Sequence, residues 1–410
     1  MTVTVQSTCH LIIIACQESH DRRENFLNVI TLIRCIFSLH FHREPASDLL
    51  VAVCKNNLID CFDSKKHYVL QCDTGSEDSI TDIVISSDNK HIAVITSTSK
   101  KLLIYDSTEF KCLKTFTLPR SASKIRFGAN NTHIFVADKT GDVLLYDIMS
   151  EDNGTKILGH LSLLLNVLQT NDGKYVITSD RDEKIKVSHF PNTYNIQTYC
   201  LGHTEFVNHI EILPHDNKYL ISASGDGTIK CWDYLSGKLC YSFNTDTLID
   251  NVQLKEDFKK VMDLEGVEVN NLPIVHFDIT GLPQARSLFA VSIHTYNKLI
   301  LCSLNSANEN FTHKIEKELA FDFCPTQFKF IKNSLLVYND INLNVLKYSI
   351  SSQDDNIDVS LDSDFKVFEN ESIKPVCDSE LNSIKVMFKR KFDNVQEYQE
   401  RKKQRLAKGN

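Results

Sequence analysis

A β-propeller, an all-β ring of about seven similar blades, is the fold the sequence predicts. Three observations lead there. The chain repeats itself at a period near 40 residues. Each repeat holds short apolar strands separated by polar turns. Seven units of about 40–45 residues fill most of the 410-residue length.

The clearest copies begin at Gly159 (GHLSLLLNVLQTNDGKYVITSDRDEKIKVSHF) and Gly202 (GHTEFVNHIEILPHDNKYLISASGDGTIKCWDY). Each opens on Gly-His, runs into an apolar strand and turns at an Asn/Asp cluster. Two further strands follow, with an Asp-containing turn between them. The second copy closes on Trp232-Asp233, which makes these WD repeats. Weaker copies occupy residues 80–117 and 122–158, and others begin at Asp48, Pro273 and Pro325. One blade cannot bury both faces of its sheet. Stacking around a closed ring buries them and protects the edges. The apolar run Thr8–Gln17 is the expected closing strand, paired into the last blade.

The order of these features divides the chain. Residues 1–47 hold the closing strand and an uncertain insert, 48–388 the seven-bladed WD-repeat propeller, and 389–410 a basic C-terminal helical tail. In the insert, Phe26–Phe41 reads FLNVITLIRCIFSLHF, shorter than the roughly 20 residues of a membrane helix. A buried or amphipathic helix in a loop fits it better, and no membrane partner is expected. From Ser351 to Glu371 seven acids stand against Lys366, which predicts a solvated or disordered loop. Residues 389–410 carry eight basic against three acidic side chains, a net +5, with Asp393 as N-cap of a helix to about Ala407.

Composition narrows the function. With 42% apolar residues the chain buries an ordinary core, and a formal charge of −8 excludes nucleic-acid binding through bulk charge. The 13 cysteines are scattered, none at C-x-x-C spacing. That pattern reads as buried free thiols in a reducing compartment and not as a zinc site. No dinucleotide, Walker, H-E-x-x-H or G-x-S-x-G motif occurs. SGDGTIK at 224–230 is a tight turn between propeller strands, and 13 glycines leave no phosphate-cradling loop. No cofactor, metal or catalytic residue is expected.

In WD repeats an imidazole, a hydroxyl, a carboxylate and an indole link neighbouring strands through buried hydrogen bonds. The matching residues are His203, Ser222, Asp226 and Trp232. In the preceding repeat they are His160, Thr178 and Asp182, with Ser188 in the tryptophan position.

Four stretches, VADKTGDV (136–143), LGHLSLLLNV (158–167), TSDRDEKIKVS (178–188) and CLGHTEFVNHI (200–210), together resemble one family. KFDNVQEYQERKKQRL (391–406) is similar to that family's C-terminal helix. The family is the WD-repeat, non-catalytic subunit of the tRNA (guanine-N7)-methyltransferase. The resemblance covers roughly residues 80–245 and the tail. It implies a scaffold that is not itself an enzyme. Its partner would be a separate catalytic subunit that uses S-adenosylmethionine and methylates a guanosine in the tRNA variable loop. The two would form a heterodimer, tRNA would be met through the complex, and the location would be the nucleus, with the cytoplasm second.

The resemblance also implies that Arg181, Asp182, Glu183 and Lys186 dock on the catalytic partner through charge pairs. Asp182 stands at the tetrad position as well, which gives it an internal role. Arg181 replaces the Gly225 of the next repeat. Glu183 lies in a turn where no rule of the fold demands an acid. Lys186 departs from the arginine frequent in the family, and lysine lacks the planar fork that makes bidentate pairs. The turn is expected at the rim, with Arg181, Glu183 and Lys186 facing outward together. Arg401, Lys402, Lys403 and Arg405 would lie along tRNA phosphates or serve nuclear import. Two rival readings use the same fold. One is a substrate receptor of a cullin-type ubiquitin ligase, but Trp232-Asp233 is followed by Tyr234-Leu235 and lacks its W-D-x-R arginine. The other is a general assembly platform.

Overall fold

The computed structural model describes residues 36–39, 50–55, 58–62, 67–71, 78–306, 309–339, 341–353, 356–367 and 380–389. They form seven four-stranded antiparallel sheets, each built from four consecutive strands. The first holds β1 (Ile36–Leu39), β2 (Leu50–Lys55), β3 (Leu58–Phe62) and β4 (His67–Gln71). The second holds β5 (Ile80–Ile85) to β8 (Cys112–Thr117), and the third β9 (Ala122–Phe127), β10 (His133–Asp138), β11 (Asp142–Asp147) and β12 (Thr155–Gly159). The fourth holds β13 (Leu164–Gln169), β14 (Tyr175–Asp180), β15 (Ile185–His189) and β16 (Ile196–Cys200). The fifth holds β17 (Val207–Ile212), β18 (Tyr219–Ser224), β19 (Thr228–Asp233) and β20 (Lys238–Asn244). The sixth runs from β21 (Ile274–Leu282) through β22 (Arg286–Ile293) to β24 (Thr312–Ala320), and the seventh from β25 (Phe328–Ile331) to β28 (Asn356–Lys366).

The first strand of each sheet packs on the first strand of the next, and β1 packs on both β5 and β25. The ring is therefore closed, with seven blades. Burial follows from that stacking. Every residue of β18 and of β22 is buried, because both faces of a middle strand meet a neighbouring blade, whereas β24 is largely exposed at the perimeter. The polar turns behave as their composition suggests. Asn89, Asn131 and Gly173 occupy the same place before the second strand of their blades, all at φ between 57° and 72°, a region that Asn tolerates and Gly prefers.

Polar groups on the inner strands tie the blades together. Asp82 accepts from Lys124 Nζ and the Ile125 amide, both at 2.9 Å, and Asp278 accepts from Lys329 and the Phe330 amide. Arg126 reaches Glu211 at 3.4 Å, skipping the fourth blade, which places both in the central channel. His209 and His276 meet edge to face with centroids 5.0 Å apart. Each donates from Nε2 to a backbone carbonyl of the next blade, Val275 O at 3.3 Å and Phe328 O at 3.0 Å.

Burial, with Lys124 and Lys329 nearby, holds His276 down at about 3. Burial also holds His294 at about 4, and burial with the neighbouring His276 holds His209 well below its ordinary value. Folded, these imidazoles are neutral; unfolded, they bind protons below about 6.5. The unfolded state then binds more protons, so stability rises with pH in that window. The melting temperature should level off between about pH 6.5 and 8 and fall as pH drops from 6.5 towards 4. A melting temperature unchanged between pH 7 and 5 would contradict this.

Three expectations change. Residues 36–39, inside the stretch read as a helix, form the innermost strand of the first blade, so the propeller begins before residue 48. Short apolar runs do not distinguish helix from strand; ring closure decides, because without this strand the neighbouring edges would stay open. Where it is described, the acidic stretch is strand and not loop. It supplies β28, where Ile357 and Val359 are buried and Asp358 and Ser360 alternate outward. Its acids sit on the ring's outer edge, where charge discourages edge-to-edge pairing, and Asp362 meets Lys347 at 2.7 Å. The last blade therefore has four strands of its own. Thr8–Gln17, the expected closing strand, lies outside the described residues, as does the helix proposed from Asp393.

Two helices sit beside the fifth and sixth blades. The first, α1 (Val252–Leu264), follows an Asn251 cap whose side chain accepts from the Gln253 amide at 3.1 Å, and it buries Phe258 and Met262. The second, α2 (Glu380–Met387), buries Ile384 and Met387, with Phe388 just after it. All five of these side chains belong to the core cluster that includes Phe206 and Phe289. Among the described residues no helix is long and apolar enough to cross a membrane.

Candidate docking site

The site is best built from the network beneath it. In the fifth blade Trp232 Nε1 donates to Ser222 Oγ at 2.8 Å. Ser222 bonds His203 Nε2 at 2.8 Å, and His203 Nδ1 bonds Asp226 at 2.9 Å. An indole N–H only donates and a carboxylate only accepts, so the direction of the whole chain is set: Trp to Ser to His to Asp. Burial pushes Asp226 up, but the bonds from His203, Thr228 and the Thr204 amide outweigh it and hold the carboxyl at about 2. The Gly of Gly-His has its reason here. Gly202 adopts φ +149°, and a Cβ there would come within 3.3 Å of the Trp232 ring.

In the fourth blade the same network is displaced. His160 bonds Thr178 and Asp180, each at 2.8 Å. The carboxylate of the network is Asp180, and the expected Asp182 has no part in it. The reason lies two residues upstream. Where the fifth blade has Ser224, the fourth has an acid long enough to reach the imidazole from that position. The third blade also places an acid there, Asp138, which accepts from the Thr140 and Asp142 amides. Ser188, in the tryptophan position, has a buried hydroxyl with no hydrogen-bond partner among the described residues.

Released from the interior, Asp182 joins the surface. It accepts from Ser162 Oγ at 2.9 Å, so the turn between β14 and β15 lies against the loop entering the fourth blade. The turn belongs to that face of the ring and not to its rim. Leu161, in the same loop, is fully exposed. Arg181 is half-buried, and its amide donates to Leu163 O at 2.9 Å. Lys186 does not face outward with the others. It is 6% exposed, its ammonium donates to Gly159 O at 2.6 Å, and burial, partly offset by Asp180, pulls its pKa down.

Glu183 carries the strongest signal. Its φ is +69°, a left-handed conformation that is unfavourable for a residue with a Cβ by about 1–2 kcal/mol. The equivalent places in the third and fifth blades are Gly141 and Gly227, at φ +103° and +74°. The backbone asks for glycine and the fourth blade supplies a carboxylate. Backbone strain of this kind collects at sites that serve binding or catalysis.

One residue at the site is read in the sequence only as part of the basic tail. Lys389, directly after the Phe388 that anchors α2, bonds Glu183 and lies 3.6 Å from Asp182. Burial alone would lower its pKa, but the hydrogen bond to Glu183 and the charges of Asp182 and Glu183 raise it above the ordinary lysine value. Its charge pattern, KRK at 389–391, was legible; its partners more than 200 residues away were not. Arg401, Lys402, Lys403 and Arg405 lie outside the described residues. The cysteines described are all free. Burial pushes the Cys200 and Cys302 thiols up to about 12, and Cys112 is exposed. No group of His, Cys, Asp or Glu among the described residues is arranged to hold a metal.

Seven four-stranded sheets in a closed ring and the Trp–Ser–His–Asp network define the class: a WD-repeat β-propeller. A solved structure, the crystal structure of a mitotic checkpoint complex, shares the fold over 70% of this chain and 83% of that one, with a TM-score of 0.57 at 12% identity. The sequence profile of the tRNA methyltransferase TRM82 WD40 domain matches residues 55–156 and 150–341, and the chain belongs to this family of WD-repeat subunits. Similar relatives are named tRNA (guanine-N(7)-)-methyltransferase non-catalytic subunits. The protein wuho of Culex quinquefasciatus is 32% identical over 82% of this chain and 80% of its own. Wuho of Drosophila mojavensis is 29% identical over 82% and 83%. WDR4 of Mus musculus is 41% identical over 40% of each chain.

Proposed function

We propose that this chain is the non-catalytic scaffold of a heterodimeric tRNA (guanine-N7)-methyltransferase. It holds an S-adenosylmethionine-dependent catalytic subunit against the 181–183 turn, for methylation of a guanosine in the tRNA variable loop. The observation that carries the docking surface is Glu183, a charge kept in a left-handed turn where two sister blades have glycine. Arg181, Asp182 and the exposed Leu161 flank it, and a mixed-sign cluster beside an apolar side chain fixes register against a complementary partner. Lys186 serves this surface from beneath, by holding the Gly159 carbonyl at the start of the adjoining loop. The basic tail, with Arg401, Lys402, Lys403 and Arg405, reaches tRNA phosphates through the complex.

Reconstitution tests the reading. Transfer of labelled methyl groups to tRNA is measured with each subunit alone and with both. The expected result is no transfer by this chain alone and full transfer only with both subunits. Methylation by the purified chain alone, or a catalytic subunit indifferent to its presence, would overturn it.

A further inference from the structure

Lys389 sits where a docking partner would have to place its own positive charge. Its position follows from packing. Ile384, Met387 and Phe388 are buried, Phe388 meets Phe206 at 5.1 Å and Phe258 at 6.1 Å between centroids, and Lys385 lies 3.5 Å from Glu265. The anchored residue immediately before it thus delivers the Lys389 ammonium to the two acids of the turn. The contact itself is open to water: the Lys389 side chain is 41% exposed, Asp182 30% and Glu183 37%. An ion pair this exposed is weak and exchangeable. A second ammonium or guanidinium brought to the same carboxylate oxygens meets the repulsion of the Lys389 charge.

Resting on the docking reading above, we propose that Lys389 stands in, within the free subunit, for a cation of the catalytic partner. Docking then exchanges one ion pair for another: the partner's lysine or arginine takes Glu183 and Asp182, and Lys389 is expelled. The start of the basic C-terminal segment is attached to the docking turn until the partner arrives and is let go when it binds. Because coupling between two binding events is reciprocal, whatever holds the released tail away from the turn also strengthens docking. Tail capture by an RNA backbone is one such event.

The test titrates full-length variants against the catalytic subunit. Lys389→Gln should bind more tightly than the native chain, by about 1.5- to 5-fold, the range set by an exposed ion pair. The gain should shrink in high salt and vanish in an Asp182→Asn/Glu183→Gln background. Hydrogen exchange at the amides of 388–391 should speed up in the native chain when the partner binds. Unchanged or weaker binding by Lys389→Gln would overturn the proposal, as would a gain that survives removal of both acids or slower exchange in the complex. The docking reading is judged separately. If Glu183→Lys binds normally, the interface itself lies elsewhere; if Glu183→Lys fails while Lys389→Gln is neutral, only the stand-in role is lost.

Discussion

Glu183→Lys should weaken assembly with the catalytic subunit by about 2–3 kcal/mol, roughly 30- to 150-fold. The substitution reverses the charge a complementary surface expects, and it also places a second cation beside Lys389. Folding should change little, because an exposed turn substitution is usually within about 0.5 kcal/mol. Glu183→Gly separates the two effects further. It removes the same charge but relieves the left-handed conformation, a gain of about 1–2 kcal/mol against roughly 0.5–1 kcal/mol of added chain entropy in the unfolded state. Its melting temperature should hold or rise while its affinity falls. Opposite signs in stability and binding are what a residue kept for function at a structural cost would show. Thermal unfolding of each variant, paired with titration by the catalytic subunit, makes the measurement. A well-folded Glu183→Lys chain that binds normally would remove the 181–183 turn from the interface.

Trp232→Ala should lower the stability of the propeller by about 3–5 kcal/mol. The ring is fully buried, lies in one cluster with Val187, Val207 and Leu220, and meets His203 edge to face at 5.9 Å. Its removal opens a cavity and leaves Ser222 without its donor. The fourth blade offers the graded comparison. Asp180→Ala should cost about 1–3 kcal/mol, since it strands the buried Nδ1 of His160. Asp182→Ala, whose carboxylate meets Ser162 and Lys389 at the surface, should fall within about 0.5 kcal/mol. Denaturant melts of the three variants, read in the absence of the partner, establish the order. Equal losses for Asp180 and Asp182 would mean that the displaced network misassigns the carboxylate.

That displacement shows what the sequence can and cannot carry. Gly-His, the Asp turn and the single tryptophan made the fifth-blade network readable, because each residue type has one role there. In the fourth blade the same spacing pointed to Asp182, yet hydrogen bonding is decided by reach, and Asp180 reaches first. Asp138 of the preceding repeat marks the position of Asp180, whereas Asp226 of the following repeat marks that of Asp182. Helix α1 carries a signal that the repeat pattern obscures: Leu254, Phe258 and Met262 recur at every fourth position after an Asn cap, in a stretch for which no helix is expected. The acidic β28 is hidden in the sequence because only Ile357 and Val359 alternate inward, among acids that an outer strand can leave in solvent. Lys389 is a different case. Nothing local to residue 389 speaks of residue 183; only the burial of Phe388 against Phe206 brings them together.

The closed ring sets a clock on synthesis. The innermost strand of the first blade must wait for β25, which begins about 290 residues later. At ribosomal speeds of about 5–20 residues per second that interval lasts roughly 15–60 seconds. During it the nascent chain presents an unmatched blade face and a strand with no neighbour on one side. Contacts of such long sequence separation also slow the final step, since loop-closure entropy is lost before any contact compensates for it. Yield in the cell will therefore depend on whether something shelters the leading blades while the closing one is still being made.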